Sequence, residues 1–174
     1  IPKPMLKIGN KPILQRIIEK FKECGYENFT LCVNHKSKII KDYFSDGAKF
    51  DVKIDYINEK KKMGTAGALS LIKDKPNEPF FVINGDLMTN LDFDKMMDFH
   101  YENESEATMS ITEYNLDMPY GEVKLKNENI ISIEEKPYYK IFVNAGVYIL
   151  DPNCIELIPK KFYDMPTLFK KIII

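Results

Sequence analysis

The chain has 174 residues, of which 44% are hydrophobic and 29% are charged, as is typical of a globular protein with an apolar core. Its formal net charge of −1 provides no overall field that would attract nucleic acid or an anionic membrane. The only arginine is Arg16, which disfavours bidentate reading of bases and favours lysine contacts with phosphate. The apolar run Ile172–Ile174 is too short to span a bilayer, and we expect neither a signal peptide nor a membrane partner.

The first half of the chain alternates predicted strands and helices. Asn10 and Pro12 predict the start of a helix, and Gly25 predicts its end. Asp92 predicts the cap of a helix that continues to about Glu102. The other predicted elements are strands at 29–33, 52–57 and 80–84 and helices at 37–44 and 65–72. This alternation predicts a doubly wound, Rossmann-like α/β fold with a mostly parallel sheet.

The second half of the chain changes to strands joined by short links. The pattern predicts strands at 107–114, 121–125, 130–135 and 142–150, with a hairpin turn at 126–129. We therefore expect a mixed sheet with antiparallel additions in the C-terminal half. No internal repeat or boundary interrupts the pattern, so we expect a single domain over residues 1–174. Both ends are expected to be cut, because the chain lacks an initial methionine and stops within an apolar helical pattern.

The cysteines and histidines predict no catalytic or metal centre. Cys24, Cys32 and Cys154 lack the paired spacing of a zinc site, and the first two fall on apolar patterns that indicate reduced core residues of a cytoplasmic protein. His35 and His100 are far apart in sequence, and we expect them on the surface or in turns. The group formed by Met96, Met97 and Phe99 is interpreted as the core face of a helix.

Two charged residues are placed where phosphate chemistry is plausible. Asp86 follows the apolar strand 80–84 and Gly85, at the strand end where open parallel α/β sheets bind ligands. It is either a ligand-binding carboxylate or the cap of a turn. Lys3, between two prolines, is expected in extended backbone, from which it either reaches a phosphate or lies on the surface.

A segment of small residues follows the strand at 52–57. Glu59 is expected at the carboxyl edge of the sheet, and Gly64 and Thr65 open a helix rich in small residues. Such residues let a base or a phosphate approach the backbone, or let the helix pack closely on the sheet. These two interpretations are equally open from this segment alone.

Two segments in the second half are candidate sugar-binding elements. Glu135 and Lys136 end a strand before Pro137, and either bind sugar hydroxyls and a phosphate or lie solvated at the strand end. Asn144 and two small residues interrupt an apolar strand. That interruption indicates either the close approach of a ligand or another backbone, or a bulge.

Six segments in this order and spacing resemble the sugar-1-phosphate nucleotidyltransferases, near the mannose-1-phosphate guanylyltransferases and glucose-1-phosphate thymidylyltransferases. The segments are PKPMLKIGNKPIL, EKKKMGTAGALSLI, FFVINGDLMTN, YGEVKL, SIEEKP and FVNAGVYIL. The resemblance implies that a nucleoside triphosphate and a sugar 1-phosphate form a nucleotide-diphosphate sugar and pyrophosphate. It implies Mg²⁺ as the cofactor, with in-line attack of the sugar phosphate on the α-phosphorus. It implies no nucleic-acid partner and leaves a homo-oligomer open.

The resemblance assigns nucleotide-binding roles in the first half of the chain. Lys3 corresponds to the lysine that contacts the phosphates and supports catalysis. Asp86 corresponds to the first metal-binding aspartate. Glu59, Gly64 and Thr65 correspond to the base-recognition segment.

The resemblance assigns sugar-binding roles in the second half. Gly121 corresponds to the glycine whose backbone meets the sugar. Glu135 and Lys136 correspond to the pair that holds sugar hydroxyls and phosphate. Asn144 falls in the strand that lines the sugar pocket.

Two parts of the family pattern are missing. The glycine-rich G-x-G-T-R loop, which cradles the triphosphate, precedes the lysine motif in the family and is absent here. The second metal-binding aspartate follows a tryptophan, and this chain contains no tryptophan. Asp164 is no substitute, because it predicts a helix cap before Pro166. We therefore expect residues 1–174 alone to make no nucleotide sugar.

Two other functions are compatible with a fold of this class. A nucleotide-sugar-dependent glycosyltransferase would call for two aspartates spaced D-x-D, and the Asn84-Gly85-Asp86 sequence disfavours it. A non-catalytic relative that senses nucleotides or sugar phosphates would be favoured if the natural gene lacks the glycine-rich loop.

Overall fold

The computed structural model describes residues 1–173 and has a mixed α/β fold with parallel and antiparallel strand pairs, which confirms the predicted fold class. The chain divides into two compact units. The first unit comprises Ile1–Thr108 and the chain from Val147 onward, and the second comprises Met109–Gly146. The single domain expected over 1–174 stays a prediction. Within the described residues, no helix is long and apolar enough to cross a membrane.

The helices agree closely with the predicted ones. The predicted helices at 37–44 and from Asp92 to Glu102 are confirmed, and Asp92 caps the latter by accepting the backbone N–H of Lys95 at 3.1 Å. The predicted helix at 65–72 is instead a short α-helix followed by a 3₁₀ turn at Ala68–Leu71. The α-helices of residues 1–173 are α1 (Ile13–Glu23), α2 (Ser37–Phe44), α3 (Gly64–Gly67), α4 (Phe93–Glu102) and α5 (Met165–Ile172).

Within residues 1–173, the strands form four small sheets. The strands are β1 (Lys7–Ile8), β2 (Lys11–Pro12), β3 (Asn28–Val33), β4 (Lys53–Asn58), β5 (Phe80–Ile83), β6 (Ala107–Asp117), β7 (Glu122–Lys126), β8 (Asn129–Glu134) and β9 (Tyr138–Leu150). Strands β3 and β4 are parallel, in register from Asn28 opposite Lys53 to Val33 opposite Asn58. Strand β9 lies between β5 and β6, and its pairing with β5 is antiparallel. Strands β7 and β8 form the predicted hairpin, and β1 pairs with β2.

Helix α1 contributes residues to two core clusters of the first unit. Its apolar residues recur at spacings of three and four, so they cover a broad stripe of the helix. Leu14 and Ile18 pack in one cluster with residues of β3, α2 and β4. Ile17 and Phe21 pack in the other cluster with residues of α4 and β9, and the Phe21 ring stacks on Phe93 with centroids 3.9 Å apart. The helix therefore joins the β3–β4 sheet to the sheet that contains β5 and β9.

The interpretation of α4 from sequence was wrong for two of its residues. Its buried positions are Phe93, Met96 and His100, which follow the helical spacing of three and four. Phe99, expected in the core, is 55% exposed, whereas His100 is only 2% exposed. The Nδ1 atom of His100 lies 2.8 Å from the Oγ1 atom of Thr108, and this hydrogen bond lets the imidazole occupy a core position.

The cysteines also differ in part from the expectation. Cys32 is exposed because β3 turns the alternating residues Phe29, Leu31 and Val33 inward. Cys24 is half-buried and Cys154 is buried, and all three thiols are free.

The burial of His100 predicts a pH dependence of stability. Burial lowers the pKa of His100, and the nearby Asp151 carboxylate opposes this shift by raising it. The unfolded chain takes up a proton near pH 6.5 while the folded protein still holds His100 neutral. The stability contributed by the neutral imidazole is therefore present above about pH 6.5 and is lost as the pH falls below it.

We predict that the free energy of unfolding falls between about pH 7.5 and pH 5.5, and that His100→Gln weakens this fall. Urea unfolding at a series of pH values measures the dependence. His35→Gln, at an exposed position, is the matched control and should keep the wild-type dependence. Identical pH dependences for the wild type and His100→Gln would contradict the assignment.

Candidate functional site

The turn after β5 places Asp86 next to the N-terminal segment. A Cβ atom at Gly85 would lie 3.4 Å from Cγ of Pro4, so the proline ring packs directly against the turn. Lys3 immediately precedes this proline. The structure therefore brings the backbones that carry Lys3 and Asp86 together, although the two residues are 83 positions apart in the sequence.

The conformation of Lys3 differs from the extended backbone that the prolines predicted. Residues Lys3–Met5 form a 3₁₀ turn, in which the N–H of Met5 donates to the carbonyl of Pro2 at 2.9 Å. Met5 is buried in the core cluster that contains Leu14 and Ile18. Its burial outweighs the preference of the residue before a proline for extended backbone.

The side chains of Lys3 and Asp86 are both exposed. Among the described residues, neither the ammonium of Lys3 nor the carboxylate of Asp86 has a hydrogen-bond or ion-pair partner. The packing of the Pro4 ring on Gly85 therefore fixes the backbone that carries the two residues, while both charges remain available to a ligand.

Glu59 lies where strand β4 ends, as predicted, and it closes the following loop. Its N–H donates to the carbonyl of Val33 at 2.9 Å, which extends the pairing of β4 with β3 by one residue. One carboxylate oxygen, Oε2, accepts the N–H of Met63 at 3.0 Å. The three lysines between them, Lys60–Lys62, are exposed. Glu59 thus shapes the loop that leads into α3.

At Gly64, the close approach that a small residue permits is made by the chain's own backbone. Gly64 has a φ of +82°, and a Cβ atom there would lie 2.6 Å from the carbonyl oxygen of Tyr163 and 2.7 Å from Oδ1 of Asp164. The same carbonyl accepts the N–H groups of Ala66 and Gly67 at 3.0 and 2.9 Å. A side chain at position 64 would therefore push the two segments apart.

Thr65 and Asp164 connect the first turns of α3 and α5. The N–H of Thr65 donates to Oδ1 of Asp164 at 3.1 Å, and the N–H of Met165 donates to Oγ1 of Thr65 at 2.8 Å. A backbone N–H in the first turn of each helix is thereby bound by a side-chain oxygen from the start of the other helix. Asp164 occupies the predicted cap position of α5, but its carboxylate accepts from α3 and not from α5. Local sequence patterns could not show this contact, because its partners are 99 residues apart.

The contacts of Gly64 predict that its replacement is unusually costly. A left-handed backbone costs an alanine on the order of 1–2 kcal/mol wherever it occurs. Gly64→Ala adds a clash with Tyr163 and Asp164, so it should lower the free energy of unfolding by clearly more than that. Gly25→Ala is the matched control, because Gly25 has a φ of +85° and a Cβ atom there would meet nothing within 4 Å. The free energy of unfolding of both variants is measured by urea unfolding. Equal losses in Gly64→Ala and Gly25→Ala would show that residues 163–164 do not restrict the space at Gly64.

In the second unit, two of the predicted sugar-binding residues lie side by side. A Cβ atom at Gly121 would lie 3.0 Å from Oε2 of Glu135 and 3.8 Å from the carbonyl oxygen of Glu134. Lys136, which follows Glu135, has a φ of +49°, a left-handed conformation that is uncommon outside glycine. It turns the chain ahead of Pro137, which is buried. The structure thus groups Gly121, Glu135 and Lys136 at one end of the β7–β8 hairpin.

A hydrogen bond next to Gly121 ties the hairpin to β9. The hydroxyl of Tyr139 donates to the carboxylate of Glu122. This hydrogen bond raises the pKa of Tyr139 to about 12, with smaller contributions from desolvation and the charges of Glu122 and Glu134. The phenol therefore stays protonated at neutral pH and keeps its role as the donor.

Asn144 lies at an irregular point of β9. Its Oδ1 atom accepts the N–H of Gly146 at 2.8 Å, and Gly146 has a φ of +78°. A side chain that folds onto its own backbone and a glycine with positive φ are typical of a bulge, one of the two predicted alternatives.

A metal ion could be held here only with the help of a ligand's oxygen atoms. Among residues 1–173, no group of three or more histidine, cysteine, aspartate and glutamate side chains is arranged to hold a metal. Asp86 offers one exposed carboxylate. Mg²⁺ is usually bound by one or two carboxylates together with substrate phosphates and water. The residues present therefore fit Mg²⁺ that arrives with a phosphate ligand.

Nearly the whole chain matches one known protein family. The nucleotidyl transferase family matches residues 1–172, which is nearly the whole chain. The chain belongs to this nucleotidyl transferase family.

Two relatives illustrate the similarity in sequence. A protein of Oryza sativa subsp. japonica, named probable mannose-1-phosphate guanylyltransferase 1, is 34% identical over 182 residues, which cover 98% of this chain and 49% of that protein. The mannose-1-phosphate guanyltransferase of Saccharomyces cerevisiae is also 34% identical over 182 residues, with the same coverage of 98% and 49%. The chain therefore spans about half the length of the relatives it matches.

A solved structure illustrates the similarity in fold. The crystal structure of HddC from Yersinia pseudotuberculosis has a TM-score of 0.69 and 32% identity, covering 93% of this chain and 73% of that chain. The same protein complexed with GMP-PN also has a TM-score of 0.69, with 30% identity and coverage of 94% and 73%.

Proposed function

We propose that the protein containing this chain transfers a nucleotidyl group from a nucleoside triphosphate to a sugar 1-phosphate, which forms a nucleotide-diphosphate sugar and pyrophosphate. Membership of the nucleotidyl transferase family and the guanylyltransferase names of its relatives support this function. The structural observation that most directly supports this function is the packing of Pro4 on Gly85, which places Lys3 beside the turn of Asp86. A free lysine and a free carboxylate at one place suit a triphosphate that arrives with a cation.

In the proposed reaction, an oxygen of the sugar 1-phosphate attacks the α-phosphorus, and the bond from that phosphorus to the pyrophosphate leaving group breaks. The work of the protein is to position the two substrates and to neutralise charge. Lys3 would contact the phosphates as a mobile point charge. Asp86 would hold Mg²⁺, which when bound supplies neutralisation of the triphosphate.

The base and the sugar are assigned to different segments. Glu59, Gly64 and Thr65 would form the base-recognition segment, where Glu59 shapes the loop and the contacts of Thr65 fix the turn. GTP is the first candidate nucleotide, because the two relatives compared in sequence carry guanylyltransferase names and the HddC complex contains GMP-PN.

The sugar-binding roles fall in the second unit. Glu135 would accept hydrogen bonds from sugar hydroxyls, and Lys136 would pair with the sugar's phosphate. Gly121 would present its backbone to the sugar, and Asn144 would lie in the strand that lines the sugar pocket. We also propose that the protein is cytoplasmic, with a homo-oligomer left open, and that it binds no nucleic acid or membrane. The free thiols and the small net charge support this proposal.

The test of this function is a matrix of nucleoside triphosphates against sugar 1-phosphates, assayed with the full-length protein and Mg²⁺ for pyrophosphate release. GTP with mannose 1-phosphate is expected to give the highest kcat/KM. Absence of pyrophosphate release with every pair, together with sugar transfer from a nucleotide-diphosphate sugar to an acceptor, would instead support a glycosyltransferase. Nucleotide binding without either reaction would support a sensing relative.

The proposed role of Asp86 predicts a large loss of turnover. Asp86→Asn in the full-length protein should lower kcat by on the order of a hundredfold or more, because an electrostatic stabiliser of the reacting phosphates is lost. The exposed position of Asp86 predicts that the folded state survives. Asp98→Asn, which changes an exposed aspartate of α4, is the matched control and should keep wild-type turnover. Full activity of Asp86→Asn with Mg²⁺ would rule out the metal assignment.

The proposed role of Lys136 predicts a selective effect on the sugar substrate. Lys136→Ala should raise the KM for the sugar 1-phosphate by about tenfold, the effect of losing one hydrogen bond to a charged group, and leave the KM for the nucleotide unchanged. Lys126→Ala, an exposed lysine of the same hairpin, should change neither constant. An equal rise of both constants in Lys136→Ala would count against its assignment to the sugar phosphate.

A further inference from the structure

Helix α3 is too short to be stable by itself. It has four residues, Gly64–Gly67, whereas isolated helices are marginal even at three times that length. Its conformation must therefore come from contacts with other parts of the chain. Several of those contacts come from one place, the segment 163–165 at the start of α5. We call this segment the clamp.

The clamp forms hydrogen bonds with the backbone on both sides of Gly64. The N–H of Tyr163 donates to the carbonyl of Met63 at 2.8 Å, and the carbonyl of Tyr163 accepts two N–H groups of α3. Oδ1 of Asp164 accepts the N–H of Thr65. These hydrogen bonds run in both directions between the two segments, so neither segment can shift without breaking several of them.

Asp164 adds a charged side-chain acceptor to the backbone contacts that the clamp makes with α3. An ionised carboxylate accepts a backbone N–H more strongly than a neutral oxygen does. It also contacts the hydroxyl of Thr65 at 3.5 Å, while that hydroxyl accepts from Met165. The carboxylate therefore holds the backbone of Thr65, and together with the N–H of Met165 it contacts the Thr65 hydroxyl.

We propose that Asp164 is a positioning residue, which fixes the turn of Gly64 and Thr65 through the clamp and thereby sets the affinity of the enzyme for its nucleotide. This inference rests on the proposed function, since it assigns the turn to base recognition. Asp164 itself does not touch the nucleotide. Its effect is transmitted by the position of the backbone at 63–67.

The test compares Asp164→Ala, Asp164→Asn and the wild type in the full-length protein, with GTP and mannose 1-phosphate as substrates. Asp164→Ala should raise the KM for GTP by about tenfold if the turn keeps its binding conformation in about a tenth of the molecules, because the apparent affinity falls with that fraction, and it should leave the KM for mannose 1-phosphate unchanged. Asp164→Asn retains an acceptor oxygen and should restore most of the GTP affinity.

The matched control is Asp46→Ala. The carboxylate of Asp46 accepts the N–H of Ala48 at 3.1 Å, the same length as the contact from Asp164 to Thr65. Asp46 lies beside the amino end of β4, because its carbonyl accepts the N–H of Ile54, so it is remote from Glu59 along that strand. The control loses an equivalent contact and should keep both KM values.

A second readout reports on the turn without activity. Amide hydrogen exchange at Thr65 should be faster in Asp164→Ala than in the wild type and should return towards the wild-type rate in Asp164→Asn. If Asp164→Ala does not fold, Asp164→Glu takes its place, since it keeps the charge but displaces the oxygen by one methylene. It should also raise the KM for GTP selectively.

The two proposals fail in different ways. A wild-type protein that releases no pyrophosphate with any substrate pair would overturn the proposed function. An active wild type in which Asp164→Ala leaves the KM for GTP unchanged, or raises both KM values to the same extent, would overturn only the role of Asp164. Failure of Asp164→Asn to restore affinity would also overturn it.

Discussion

The two-sided packing of α1 is the interaction on which the first unit depends. Leu14 and Ile18 enter the cluster of the β3–β4 sheet, while Ile17 and Phe21 enter the cluster that includes β9 and α4. The burial of such side chains contributes on the order of 1.5–3 kcal/mol each, so α1 binds both sheets strongly. Since the strands of both sheets carry candidate site residues at or just after their ends, the position of those residues depends on this helix.

Contacts of neighbouring residues place Lys3 and Asp86, and the charged groups of these two residues remain available for the proposed chemistry. Pro4 packs on Gly85, so Lys3 and Asp86 are placed without any contact between their own charges. In the same way, Tyr163 holds α3 through backbone hydrogen bonds. A site built in this way is fixed before the ligand arrives, which lowers the entropic cost of binding.

Much of the secondary structure could be predicted from sequence, because its causes are local. The limits of α2 and the cap of α4 at Asp92 follow from apolar spacing and capping, and both are confirmed. The burial of His100 was not predicted, because a polar residue is not expected in the core from sequence alone. The hydrogen bond of its imidazole to Thr108 makes this buried position acceptable. The 3₁₀ turn at Lys3 was missed because burial of Met5 outweighs a local proline rule.

The roles of the candidate site residues stay predictions, and several contacts of these residues could not be inferred from sequence. Motif resemblance indicated Asp86 and Thr65, but the contact of Thr65 with Asp164 joins residues 99 positions apart and leaves no trace in local patterns. The contact of Pro4 with Gly85 is hidden for the same reason. Such pairings arise from the tertiary fold, and a single sequence does not encode them at any fixed spacing.

A crystal structure of the full-length protein with Mg²⁺ and a non-hydrolysable GTP analogue would show directly whether the triphosphate binds where Pro4 meets Gly85. We expect an oxygen of Asp86 bound to the metal and the ammonium of Lys3 in hydrogen-bond contact with a phosphate oxygen. We also expect the base to lie against the segment from Glu59 to Thr65. A triphosphate bound elsewhere on the protein, with Lys3 and Asp86 still facing solvent, would contradict this expectation.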